Sequence, residues 1–197
     1  MKHRACPWRN AYLFDNVLRG LLHNPRKMLQ PYVTPGMTVL DVGCGMGFFS
    51  IGMARLVGSD GLVIAVDLQQ EMLDVVEKRA ARAGVADRIR THRCTDDNLG
   101  VTTKVDFALA FWMVHEVPDR AGLFRQLGSL LRTDGHLVIA EPKIHVSADD
   151  FRETLELAKA QGWTWSEDPR MRASRSAVLR VAAPAAAECR RIYGSGH

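Results

Sequence analysis

Two groups of residues in this chain have the types and spacing to do chemistry. The first is Asp41-Val42-Gly43-Cys44-Gly45-Met46-Gly47, where an acid near the end of an apolar run is followed by three glycines at every second position. Glycine reaches positive φ and lets a ligand approach bare backbone, so the stretch reads as a strand, a tight turn and a helix start that could cradle a nucleotide or a relative of one. Asp67 closes a second apolar run, Leu62-Val63-Ile64-Ala65-Val66, and suits a carboxylate accepting hydrogen bonds from a ribose diol. The second group is His115 and Glu116 after one apolar run, and Glu141, Lys143 and His145 after another. His115 fits a general base, or a structural hydrogen bond beside a ligand. Glu116 and Glu141 fit acid–base or structural roles. Lys143 could orient an anionic acceptor, or be solvated charge. His115, Glu116, Glu141 and His145 could converge on a metal, but no pair has the short helical spacing of ligands, so no metal is expected.

The elements that must position these residues alternate. Strands are expected at 38–41, 62–66, 88–93, 105–111 and 136–140, and helices at 48–57, 70–83, 119–131 and 148–161. Gly84 stands where a C-cap glycine belongs, and the Ser147/Asp150 pair fits a capping box. The runs 163–166 and 176–181 can both be strands with no helix between them, which makes them antiparallel neighbours. The expected fold is α/β: a doubly wound, Rossmann-like, mostly parallel seven-stranded sheet with an antiparallel C-terminal strand. Tyr12, Leu13, Val17, Leu18, Leu21 and Leu22 recur at helical spacing, so a helix is expected near 10–23, broken by Asn24-Pro25, with a further short turn near 29–33. Three parts follow: an N-terminal helical segment at 1–36, a main domain at 37–182 and a tail at 183–197.

The 197 residues suit one domain with a proper core, and 47% hydrophobic with 24% charged residues is ordinary for a globular protein. No run is long enough to span a bilayer, and the first residues lack the apolar stretch of a signal peptide, so a cytoplasmic location is expected. The four cysteines are scattered without a CxxC pair, which argues for reduced thiols and against a zinc knuckle. Residues 1–36 hold six Lys/Arg and one acid, residues 37–168 fourteen and twenty, and residues 169–197 six and one. The basic ends could attract an anion, but they lack the dense clusters of a nucleic-acid binder.

Dinucleotides and S-adenosylmethionine both fit a glycine turn followed by Asp67. The spacing favours the second. Phe48 stands where a third dinucleotide glycine would be, and Asp41 is well placed to accept from an amine or to hold the glycine loop but poorly placed beside a pyrophosphate. One nucleotide-binding unit also leaves little room for the second domain of a dehydrogenase.

Val39-Leu40-Asp41-Val42-Gly43-Cys44-Gly45-Met46-Gly47 resembles the first motif of class I S-adenosylmethionine-dependent methyltransferases. Val63-Ile64-Ala65-Val66-Asp67 with Met72-Leu73 resembles the second, and residues 106–111 and 130–139 resemble the later strand motifs. The resemblance covers about residues 37–182. Val114-His115-Glu116-Val117 is similar to the small-molecule branch that includes quinone-biosynthesis enzymes. The resemblance implies S-adenosylmethionine as cofactor and S-adenosylhomocysteine as product. Asp41, Gly43, Cys44 and Gly45 would line the methionine end, with Cys44 also readable as a packing residue. Asp67 would hold the ribose, and Leu68 and Met72 would pack on the adenine. Thr95 and Asp96 fall where the family has an acid and a small residue near the adenine amine, but the acid position holds Thr95. Phe111 would approach the methionine moiety.

Methyl transfer is a direct displacement with a good neutral leaving group, so it needs in-line positioning and exclusion of water. A base is needed only if the acceptor atom carries a proton, and His115, Glu116 and Glu141 are the catalytic candidates. The acceptor is expected to be a small molecule, met by Tyr12, Phe14, Trp112, His115, Lys143 and His145, with the N-terminal helix as a lid or as an extra helix on the sheet edge. Methylation of nucleic acid or protein is an alternative. It is disfavoured by the lack of an RNA-binding domain, and by Phe111-Trp112-Met113-Val114 standing where an Asn/Asp-Pro-Pro-Tyr motif would be. A non-catalytic cofactor-binding module is a further alternative.

Overall fold

The structure is a computed structural model that describes residues 23–167, 169 and 171–182. The expected N-terminal helix with Tyr12 and Phe14, and the tail at 183–197, lie outside the described residues.

The first described element begins at Pro25, where a break in the chain's helical run was expected. That residue starts a helix, α1 (Pro25–Leu29), because proline lacks only an N–H that the first helical turn leaves unbonded anyway. The Asn24 side chain caps it by accepting from the Lys27 N–H at 3.1 Å. The alternation then follows: β1 (Thr38–Val42), α2 (Phe48–Val57), β2 (Leu62–Asp67), α3 (Gln70–Ala83), β3 (Ile89–Arg93), β4 (Val105–Phe111), α4 (Arg120–Leu130), β5 (Leu131–Pro142), α5 (Ala148–Ala160), β6 (Trp163–Glu167) and β7 (Ser174–Val181). Gly84 ends α3 at φ 67°, and Ser147 with Asp150 forms the capping box of α5. β5 is longer than the apolar run suggests. It takes in Leu131–Gly135 through a pairing of Val105 with Leu131 and an irregularity before Phe107 meets His136.

The strands form one sheet in the order β3-β2-β1-β4-β5-β7-β6. β1 pairs in parallel with β2 and β4, and β7 pairs antiparallel with both β5 and β6. The antiparallel strand is therefore the C-terminal one, inserted between β5 and β6 and not at the sheet edge. Alternate residues feed two apolar layers. Leu40, Ile64, Ala108 and Leu137 pack under α4 and α5 with Phe124, Leu127 and Trp163. Val39, Val63, Phe107 and Val138 pack under α1 and α2 with Leu29, Phe49 and Met53. Large side chains this fully buried each contribute about 1.5–3 kcal/mol, which fixes the register that aims the strand ends. The chain leaves β1 for the β2 side and later returns to β4 on the other side. That reversal opens a crevice at the carboxyl ends of β1 and β4, where such sheets bind ligands. Among the described residues, no helix is long and apolar enough to cross a membrane.

Candidate functional site

The crevice holds a cleft of about 330 Å³ built from five strand ends. The glycine turn forms its floor. Gly43, Gly45 and Gly47 have φ of 65°, 52° and 80°, a region that disfavours any side chain. They differ in what surrounds them. A Cβ on Gly43 would lie 3.0 Å from Met113, and one on Gly47 would lie 3.0 Å from Val76, whereas one on Gly45 would meet nothing within 4 Å. Gly45, on the cleft wall, is thus the bare backbone a ligand can approach.

Asp67 ties this turn to the next unit. Its Oδ2 accepts from the Gly45 N–H at 2.9 Å and its Oδ1 from the Gln69 N–H at 3.0 Å, just ahead of α3. It is 8% exposed, and burial raises its pKa, partly offset by hydrogen bonding from the backbone N–H groups of Gln69, Gly45 and Leu68. A carboxylate has about four acceptor sites, so acceptor capacity remains for a ligand hydroxyl. Leu68, Met72, Thr95 and Asp96 line the same end of the cleft. Thr95 is held in a turn, its hydroxyl donating to Asp97 at 2.7 Å. Burial, with the Asp41 and Asp67 charges adding, pushes the Cys44 thiol well up. Burial first, then the Asp67 charge, pushes Cys94 up to about 11. Both line the cleft as neutral packing groups.

At the other end, β4 delivers Phe111 and Trp112. Trp112 has φ 60°, an uncommon conformation for a bulky residue. Its backbone N–H donates to the Ala140 carbonyl at 2.7 Å and its indole N–H to Ser174 Oγ at 2.8 Å. These bonds, and the stacking of its ring on Phe111 at 5.2 Å, hold it at the cleft wall.

A 3₁₀ turn, Val114–Glu116, follows and presents His115. Glu141, 1% exposed at the end of β5, accepts from the Val114 N–H at 2.9 Å through Oε1, and its Oε2 meets His115 Nδ1. This contact fixes the ring and puts a proton on Nδ1, leaving Nε2 as the outer nitrogen, 4.0 Å from Glu116 Oε1. The Glu141 hydrogen bond raises the His115 pKa, burial opposes it, and the Glu141 and Glu116 charges add to the rise. The His145 ring lies nearly parallel to that of His115, at 6.2 Å.

Gly43, Cys44, Gly45, Asp67, Leu68, Met72, Thr95, Asp96, Phe111, Trp112, His115, Glu116 and His145 thus share one cleft. Three candidates stand outside its lining. Asp41 is 2% exposed and accepts from the Ser50 hydroxyl, anchoring the turn to α2. Glu141 reaches the cleft only through His115. Lys143 is exposed on the β5–α5 connection, where its backbone N–H bonds Ala173. Among the described residues, no group of His, Cys, Asp and Glu is arranged to hold a metal. Sequence reasoning missed Met113, Ile144 and Gln126. The Gln126 side chain bonds the Leu99 N–H and the Asp97 carbonyl, both at 2.8 Å, and so closes one wall from α4. Such pairings across the chain leave no local sequence signal. A second groove, of about 1220 Å³ between α1, α2 and α3, is lined by Arg26, Arg55, Arg79 and Arg82 and holds none of the candidates.

Comparison with known proteins agrees with this architecture. A ubiquinone biosynthesis O-methyltransferase of Methylocella silvestris is 32% identical over 144 residues, 70% of this chain and 53% of that protein. A demethylmenaquinone methyltransferase of Lactobacillus johnsonii is 29% identical over 110 residues, 55% of this chain and 45% of that protein. The chain therefore spans about half the length of these curated relatives. The crystal structure of a SAM dependent methyltransferase from Aquifex aeolicus shares the fold, with TM-score 0.81 and 20% identity over 90% of this chain and all of that one. The model of the methyltransferase domain matches residues 33–179, from the loop after α1 into β7, and on that match the chain belongs to the methyltransferase domain family.

Proposed function

We propose that this chain is an S-adenosylmethionine-dependent methyltransferase acting on a small-molecule acceptor, with residues 37–182 as its catalytic domain. The observation that carries the reading is the cleft itself. At one end a bare glycine turn is locked to a ribose-type carboxylate, and at the other a carboxylate-oriented histidine faces inward. The donor set fits the cofactor. Open backbone at Gly45 can approach the methionine portion, Asp67 keeps acceptor capacity for hydroxyls, and Leu68 with Met72 offers an apolar wall for a flat base. The bound cofactor supplies an electrophilic methyl group with a neutral leaving group.

The rest of the reaction belongs to the chain. Phe111, Trp112 and Met113 wall the inner end of the cleft and exclude water from it. His115 Nε2 takes the proton of an acceptor hydroxyl as its oxygen attacks, and Glu141 holds the ring in the tautomer that allows this. Activity should therefore rise with pH through the raised His115 pKa, since only the neutral ring can take the proton. His115→Gln should lower kcat by about a hundredfold or more with little change in cofactor affinity, in line with the usual worth of general acid–base catalysis. A screen of quinols, phenols, thiols and RNA with labelled cofactor tests the acceptor class. Turnover of RNA alone would refute the small-molecule reading.

A further inference from the structure

The groove between α1, α2 and α3 presents one kind of charge. Arg26 comes from α1, Arg55 from α2, and Arg79 and Arg82 from α3, and the described lining includes no aspartate, glutamate or lysine. This segregation runs against the local composition, since residues 37–168 hold fourteen Lys/Arg and twenty Asp/Glu. Among the described residues, no carboxylate lies within ion-pair distance of Arg26, Arg55 or Arg82. Arg79 is half-buried, and its guanidinium donates to the Met46 carbonyl at 3.1 Å, which pins it beside the glycine turn. The apolar part of the lining runs along α2, where Phe48, Ile51 and Leu56 follow the same face as Arg55. A Cβ on Gly52 would lie 2.3 Å from Pro25 Cβ, so α1 sits directly on α2, and Arg26 and Arg55 belong to one packed frame. The groove and the cofactor cleft share no lining residue.

We infer that this groove is a second binding site, for a small organic phosphate whose phosphoryl group is held by the guanidiniums and whose apolar part lies along α2. The choice of arginine at all four positions carries the ligand class. A guanidinium is a planar fork of donors that pairs bidentately with phosphate, whereas an ammonium offers only a point charge. Lys27 and Lys78 neighbour Arg26 and Arg79 in the chain, yet neither lines the groove. A phosphate monoester turns three oxygens and up to two charges outward, so it can meet forks from two helices at once. A carboxylate has two oxygens and one charge to divide between them. Phe48, Ile51 and Leu56 supply the apolar wall that a free phosphate ion has no use for. The site is independent of the cofactor reading, because none of its residues binds or positions the cofactor except Arg79, through Met46.

The test is calorimetry on the full chain with phenyl phosphate, inorganic phosphate and benzoate, at about 50 mM salt so that screening stays weak. Phenyl phosphate should bind saturably at one site and at least about threefold more tightly than either of the other two, since only it has both the fork-matched head and the apolar body. Its binding should persist when the cofactor cleft is saturated with S-adenosylhomocysteine. Arg55→Gln and Arg82→Gln, both at exposed positions, should each weaken it about two- to fivefold, the usual worth of one exposed charge pair. The paired change to lysine, Arg55→Lys with Arg82→Lys, keeps the charge and should still weaken it by about threefold or more. Arg152→Gln removes an exposed arginine outside the groove and should leave it unchanged. Absence of saturable binding, displacement by S-adenosylhomocysteine, or full affinity in the lysine variant would each overturn the inference. Benzoate binding as tightly would overturn the phosphate class, and inorganic phosphate binding as tightly would overturn the organic one. Each of these results leaves the proposed function intact, and failure of S-adenosylhomocysteine to bind would overturn that function while the arginine variants still judge the groove.

Discussion

Glu141→Gln removes the one carboxylate that faces the inner nitrogen of His115 while keeping side-chain volume. Both Glu141 oxygens are committed in a nearly sealed site, one to the Val114 N–H at 2.9 Å and the other to His115 Nδ1. In the variant the amide oxygen can keep the Val114 bond. The amide NH₂ then faces Nδ1 and favours the tautomer with its proton on Nε2, which takes the basic lone pair away from the cleft. The His115 pKa should fall towards its ordinary range, because the Glu141 hydrogen bond is the main cause of its rise. A group whose pKa is raised on folding contributes stability that is fully present below its unfolded value, about 6.5, and is lost as pH rises through the folded value. Hydrogen bonds to charged groups contribute about 1.5–3 kcal/mol, so the variant should lose about 2 kcal/mol of stability near pH 5.5. Near pH 9 the loss should be smaller, since the ring is neutral and the variant no longer buries a charge. Urea unfolding at the two pH values measures this, and NMR titration of the His115 ring, assigned with His115→Gln, reads the pKa directly. An equal stability loss at both pH values with an unchanged His115 titration would show that Glu141 only packs, and would remove the basis for its orienting role.

Two further substitutions separate fold from site. Gly47→Ala should cost about 2–4 kcal/mol, the left-handed penalty plus a clash with Val76, while Gly45→Ala should cost only about 1–2 kcal/mol yet weaken cofactor binding sharply. Urea unfolding and calorimetry together check this, and the opposite order in stability would contradict the geometry of the turn. Ser50→Ala should destabilise by about 1–3 kcal/mol by withdrawing a donor from buried Asp41. An unchanged unfolding midpoint would mean that the Asp41–Ser50 bond does not anchor the turn.

The glycine turn and Asp67 were legible because their signals are local: an apolar run, a change to glycine, and an acid at a strand end. The mostly parallel sheet followed from alternation, and the antiparallel ending from two adjacent strand runs. The role of Asp41 was legible only as a pair of alternatives, a ligand contact or a hold on the glycine loop. Ser50, in the first turn of α2, donates its hydroxyl to the carboxylate and so decides for the second. The His115–Glu141 pair was visible as two candidates but not as a pair, since 26 residues separate them and only the parallel β4–β5 register brings them together. The positive φ of Trp112 has no sequence signature at all, because it is imposed by Ala140 and Ser174 from neighbouring strands. The same holds for the extension of β5 back to Leu131, which rests on its pairing with Val105 across an irregularity that takes up residues 132–135.

The most direct measurement is calorimetric titration of the full chain with S-adenosylmethionine and with NAD, repeated on Asp67→Ala. The account predicts one site per chain for the sulfonium cofactor, no binding of NAD, and affinity for the cofactor at least about tenfold weaker in the variant, which loses charge-assisted hydrogen bonds to the ribose hydroxyls. Binding of NAD without S-adenosylmethionine, or an affinity untouched by Asp67→Ala, would contradict it.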